Sequence, residues 1–142
     1  MVGAWLRRTA FWTIDALKGG SIRAHYQDIA RQMTQTDRSQ TVERILTHAS
    51  QTTEYYRGMS AASLYGFPVV NKQIIKENPE AFRSDAYPDE HALHATYTGG
   101  SSGVPFRSFQ NGNKRNRTVA DLLYCHNSIG WRLGERYIFI RG

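Results

Sequence analysis

Apolar positions near the start of the chain recur at helical spacing. Trp5, Phe11, Trp12, Ile14 and Leu17 predict a helix that Gly19-Gly20 stops. Ser21 is placed to cap a second helix, whose Ile22, Tyr26, Ile29, Ala30 and Met33 fall on one face. Beyond the polar stretch "TQTDRSQ", the same spacing returns in Val42, Ile45, Leu46 and Ala49 and runs on to Tyr55 and Tyr56. Residues 1–60 therefore read as a helical region.

The pattern then changes. Pro68 fixes an extended backbone, Asn71 is a natural N-cap, Ile74 and Ile75 mark a short helix, and Asn78-Pro79 ends it. A polar connection through Tyr87-Pro88 completes the stretch 61–92. Leu93 to Tyr97 alternates as a strand does, and Pro105 to Phe109 reads as a second strand, followed by "QNGN" as a turn. Val119, Leu122, Leu123, His126 and Ile129 predict one face of a helix that stops at Gly130. The last element, Tyr137 to Ile140, is continuously apolar, as in a strand covered on both faces. Such a strand needs neighbours for its backbone groups, so the expectation is an α/β chain, with α+β as the alternative: N-terminal helices followed by an incomplete sheet, a partial domain over 1–142.

Composition narrows the class. The 142 residues are 40% hydrophobic and 12% aromatic, enough for packed structure, and nothing approaches the roughly 20 apolar residues of a membrane span. Arg7 and Arg8 interrupt the first apolar stretch, which makes it a poor signal peptide, and the single Cys125 excludes an intramolecular disulfide. A cytoplasmic protein is expected. The tryptophans of the first helix suit core packing or contact with the rest of a larger protein, with membrane-surface contact as the alternative. The formal charge of +6 favours anionic partners. Part of the excess sits in "NGNKRNR", at Lys114, Arg115 and Arg117, which with Phe106 and Phe109 nearby is a minor argument for nucleic acid. The aromatics are more simply the apolar face of a hairpin.

The chemistry concentrates between the two strands, in "YTGGSSGVPF". Gly99, Gly100 and Gly103 let main-chain N–H groups approach a ligand, and Thr98, Ser101 and Ser102 add hydroxyl donors, together a nest suited to phosphate oxygens. No Gly-Lys-Ser/Thr follows, and the glycine spacing is not that of a dinucleotide site. A flexible hairpin connection is the plainer reading of the same residues. His91 and His94 lie in what reads as a loop, with no local cysteine, and read as solvated. Cys125 beside His126 lacks an orienting third group and reads as a buried structural thiol.

"TGGSSGVP" resembles the phosphate loop of adenylate-forming enzymes, nearest to the T-G-G-T-T-G-x-P form of phenylacetate–CoA ligase-like and CapK-type capsular polysaccharide biosynthesis proteins. "ILTHASQTTEYYRG", "FPVVNKQIIKENPEAFRSD" and "GWRLGERYIFIRG" resemble, in the same order, other segments of that branch. The resemblance implies ATP-dependent activation of a carboxylate substrate to an acyl-adenylate, with Mg²⁺ and then a thiol such as coenzyme A. Thr98, Gly99, Gly100, Ser101, Ser102 and Gly103 would hold the nucleotide phosphates. It also implies that the chain corresponds to the first third or so of a family member. The acidic metal ligand and late lysine would lie beyond it, so no catalytic residue is assigned and the isolated chain is expected to be inactive. Phe106 stands where the family often has lysine, and Arg107 would point to the other face of the strand. The competing expectation is a non-catalytic relative acting as an interaction module, self-associating through Tyr137 to Ile140.

Overall fold

The computed structural model describes residues 2–87, 92–98 and 105–138. Among the described residues, seven regular elements follow one another: α1 (Val2–Leu17), α2 (Ser21–Thr34), α3 (Ser39–Thr52), α4 (Lys72–Glu77), β1 (His94–Thr98), β2 (Phe106–Gln110) and α5 (Gly112–Ser128). Short 3₁₀ turns occupy Glu54–Tyr56 and Leu64–Gly66. The chain therefore mixes helices with a small antiparallel sheet. It divides into two compact units, Met1–Gln35 with Asn111–Gly142, and Thr36–Gln110. Helix α3 thus belongs to a different unit from α1 and α2.

In the first unit, α1 ends as the glycines predict. Gly19 takes φ 95°, and Gly20 N–H donates to the Asp15 carbonyl at 2.8 Å. The cap of α2 differs from expectation. Ser21 lies inside the helix, and Gly20, in the N-cap position, has no side chain to offer. Asp15, on α1 and only 5% exposed, supplies the carboxylate instead: Oδ1 accepts Ile22 N–H at 3.1 Å and Oδ2 accepts Arg23 N–H at 3.0 Å. Two of the otherwise unpaired amides of α2 are satisfied from the preceding helix. The Ser21 hydroxyl is left free to accept from Asn116 Nδ2 at 2.7 Å.

Helix α5 packs on α2 with a stripe other than the one its apolar residues predict. Asn113, Asn116, Arg117, Ala120, Tyr124 and Asn127 face α2. Arg117 pairs with Asp28 at 2.6 Å, Asn113 with His25 at 2.8 Å, and Asn127 Nδ2 donates to the Tyr26 hydroxyl at 3.1 Å. Ala120 is fully buried and the Tyr26 and Tyr124 rings lie 5.9 Å apart. Val119, Leu122 and Ile129 are exposed as a result. Cys125 is exposed too, not the buried thiol expected, because positions 120 and 124 hold the inward side of the helix. The helix also starts earlier than the pattern suggests. "QNGN" is not a free turn: Asn111 accepts Lys114 N–H at 2.8 Å and caps α5.

The Arg117 guanidinium holds the Asp28 carboxyl below its ordinary value against the upward push of partial burial, and Arg31 and Gln32 assist. A folded pKa lowered in this way adds stability above the ordinary carboxylate value, and that stability disappears as pH falls through the folded one. Asp28→Asn is therefore expected to lower the unfolding free energy by about 1–2 kcal/mol at pH 7. The gap to the wild type should close in strong acid. Urea melts at several pH values would show this, and a pH-independent gap would refute the assignment.

After α5, residues 131–138 return to α1. Arg7 Nε donates to the Gly134 carbonyl at 2.8 Å and Arg8 Nε to the Leu133 carbonyl at 3.0 Å. Trp131 meets His126 and Tyr137 edge-on, at 5.3 and 5.4 Å. The doubly covered strand expected over Tyr137 to Ile140 is not seen where it is described. Tyr137 and Ile138 are irregular, and Ile138 is 89% exposed. A strand requires a ladder partner, and the sheet of the described residues contains β1 and β2 alone. Phe139 and Ile140 lie outside the described residues.

The second unit is organised by aromatic contacts. Tyr55 stacks on Phe82 at 4.0 Å, and Tyr56 meets Phe67 at 5.5 Å and Phe82 at 5.8 Å. Burial, with Tyr55 adding to it, raises the pKa of the Tyr56 phenol. Main-chain bonds from Tyr55 N–H to Ala81 O and from Asp85 N–H to Thr52 O, both 2.8 Å, tie the end of α3 to the segment after α4. Leu46 is the buried apolar anchor of α3. Asn71 caps α4 as predicted, its side chain accepting Ile74 N–H at 3.0 Å.

Candidate functional site

The Gly/Ser-rich segment is framed by β1 and β2, which pair antiparallel with Thr98 opposite Phe106 and His94 opposite Gln110. This register leaves 99–105 as the connection between the strands, close to the limits the pattern predicts. Gly99, Gly100, Ser101, Ser102 and Gly103 lie outside the described residues. Of the six residues proposed for phosphate, Thr98 alone has a described backbone, as the last position of β1.

The alternation of the strands decides what stands beside that connection. Thr96 and Ser108 share the face of Phe106, and Thr96 Oγ1 lies 3.1 Å from Ser108 Oγ and donates to Ser108 O at 3.2 Å. The opposite face carries Tyr97, Arg107 and Phe109. The Arg107 guanidinium sits 4.4 Å from the Phe109 ring centroid, and that of Arg83 sits 5.6 Å from the same centroid. Arg107 thus leaves the face of Phe106, as alternation requires. Phe106 and Phe109 fall on opposite faces, so the hairpin has no single aromatic side of the kind the sequence suggests. Sequence reasoning missed the cation–ring contacts of Phe109; the i, i+2 spacing of Arg107 and Phe109 was the available signal.

The donor set of Thr98, Ser101 and Ser102 hydroxyls with glycine N–H groups fits phosphate oxygens by its chemistry. Among the described residues, no three His, Cys, Asp or Glu side chains converge as a metal site. The basic "NGNKRNR" segment forms the start of α5. Arg117 is engaged there by Asp28 and lies 3.7 Å from Asp121, while Lys114 is exposed. His94 begins β1, and His91 lies outside the described residues. No described helix is long and apolar enough to cross a membrane. Comparison of the chain with protein-family models, with curated proteins and with solved structures finds no match.

Proposed function

We propose that the connection between β1 and β2 binds the phosphates of a nucleotide, and that the chain is an N-terminal part of an adenylate-forming protein of the CapK or phenylacetate–CoA ligase-like kind. One observation supports this most: the antiparallel register that sets Thr98 opposite Phe106 makes 99–105, the rest of the T-G-G-S-S-G-V-P stretch, the link of a hairpin. Residues outside a helix or a ladder can turn their N–H groups toward a ligand, and glycine permits the required backbone angles. Thr98, Ser101 and Ser102 add hydroxyls. ATP, when bound, brings the phosphorus that a carboxylate would attack. This chain's part is to hold and orient the phosphate oxygens, with Mg²⁺ offsetting their charge. Coenzyme A as acceptor, a capsular or surface-polysaccharide setting and a cytoplasmic location belong to the same proposal.

Titration calorimetry of the 142-residue chain with Mg·ATP tests it, beside a Gly100→Ala, Gly103→Ala double variant. Saturable binding that the variant loses by at least about tenfold is expected, since two added Cβ atoms restrict the backbone and hinder its close approach to phosphate. Absence of binding to the wild type, or equal binding to both, would refute it.

A further inference from the structure

The outer face of α1 is unusual for a helix already anchored on its other side. Stepping about 100° per residue, the arc from Trp12 through Trp5, Leu6 and Leu17 to Ile14 spans roughly 200° without one charged side chain. Alanines, threonines and glycine fill the positions between. Trp5 is 61% and Leu17 83% exposed, and Leu6 and Ile14 are more than half exposed. Trp5 is thus not packed in a core, whereas Trp12 is half-buried. The buried side of the helix is fixed elsewhere, by Asp15 on the N-terminus of α2 and by Arg7 and Arg8 on the 133–134 carbonyls.

Part of this face borders an open groove of about 610 Å³, whose lining includes Trp5, Trp12, Ala16 and Leu17 together with Arg8 and Arg23. The Arg23 guanidinium lies 4.8 Å from the Trp12 ring centroid. The charges that border the arc have one sign: Arg7, Arg8, Lys18 and Arg23 are all cations. The only carboxylate of α1, Asp15, is buried and occupied. Glu135, on the segment packed behind the helix, accepts Arg132 N–H at 2.9 Å.

We propose that this face of α1 docks on an anionic lipid bilayer. The helix would lie in the plane of the interface, with Trp5, Trp12, Leu6 and Leu17 at the headgroup–acyl boundary and Arg23 on lipid phosphates. Each feature has its physical reason. An interfacial helix needs an uncharged apolar arc with a cationic border, tryptophan favours the boundary where one end of the ring is wet and the other dry, and arginine pairs with phosphate. A second copy of the same face is disfavoured as the occupant, because stacking two such faces would bring four cations against four. Nothing in this proposal depends on the phosphate-binding hairpin.

Co-sedimentation of the 142-residue chain with large vesicles tests the proposal, one set of pure phosphatidylcholine and the other of equal parts phosphatidylglycerol and phosphatidylcholine. Binding to the anionic vesicles is expected, with a blue shift of tryptophan emission and clear weakening in high salt. Leu17→Asp should weaken it by at least about tenfold and Arg23→Gln by about fivefold. Ile129→Asp, at an exposed apolar position just after α5, should leave it unchanged. Leu6→Asp supplies the same readout if far-UV circular dichroism shows that Leu17→Asp does not fold. A chain that stays in the supernatant at millimolar lipid overturns the proposal, as does equal binding to neutral vesicles or full binding by the aspartate variants. A dimer seen by light scattering, dissolved by Leu17→Asp in a chain that ignores vesicles, would make the face a protein contact and overturn it too.

Discussion

Replacing Gly134 with alanine should disrupt the contact between residues 131–138 and α1, lowering the unfolding free energy of the first unit by about 2–4 kcal/mol. Two costs add. Gly134 sits at φ 96°, where a side chain is strained. A Cβ there would also collide with the Ala4 carbonyl oxygen and press on the Arg8 amide nitrogen at 3.3 Å. Both obstacles are backbone of α1, so neither can swing aside, and relief would require the turn to move away. The Arg7 and Arg8 hydrogen bonds to the 133–134 carbonyls would then lengthen or break. Gly130 isolates the two costs. It has the same φ of 96°, but its Cβ would meet nothing within 4 Å. Gly130→Ala should therefore cost only about 1 kcal/mol. Urea unfolding followed by tryptophan fluorescence would compare them, and equal losses would show that the packing at Ala4 contributes nothing.

The second large effect is expected at Asp15. Asp15→Ala removes the acceptor of two amides at the start of α2 without supplying another, because Gly20 and the already paired Ser21 cannot replace it. The loss should be about 1–3 kcal/mol, with fraying of the first turn of α2. Asp15→Asn keeps one carbonyl oxygen and should recover part of it. Hydrogen exchange at the Ile22 and Arg23 amides gives the local readout. Protection unchanged in the alanine variant would show that these amides find another partner.

These two sites show where the sequence is legible. Helices α1 to α4 follow from local signals: Gly19-Gly20 must end a helix, and Asn71 caps its own third residue onward. The strands flanking the glycines are equally local, and their limits shift by only a residue. The cap of α2 is not local. It comes from a carboxylate six residues before the helix that reads, in the linear pattern, as one polar position of α1. The stripe of α5 is hidden for a similar reason. Apolar periodicity selected Val119, Leu122, Leu123, His126 and Ile129, of which Leu123 and His126 are half-buried, whereas the side that packs on α2 is chosen by what α2 presents: Ser21, His25, Tyr26 and Asp28. Tyr137 and Ile138 look like strand because they are apolar and consecutive, but their partner would have to come from elsewhere in the fold. Around the proposed phosphate site, the strand limits were legible. The opposite-face placement of Phe106 and Phe109 follows from alternation at their odd spacing along β2.

The seam between α2 and α5 has a thermodynamic consequence. Apart from Ala120 and the Tyr26–Tyr124 ring contact, the side chains that meet here do so through amides, hydroxyls and an ion pair. These exclude less hydrocarbon from water than an apolar seam, and heat capacity rises on unfolding mainly with the hydrocarbon newly hydrated. Separation of these two helices should therefore carry a small heat-capacity increment. Its unfolding enthalpy would then change little with temperature, so its stability curve should be less strongly bowed than that of an apolar helix pair.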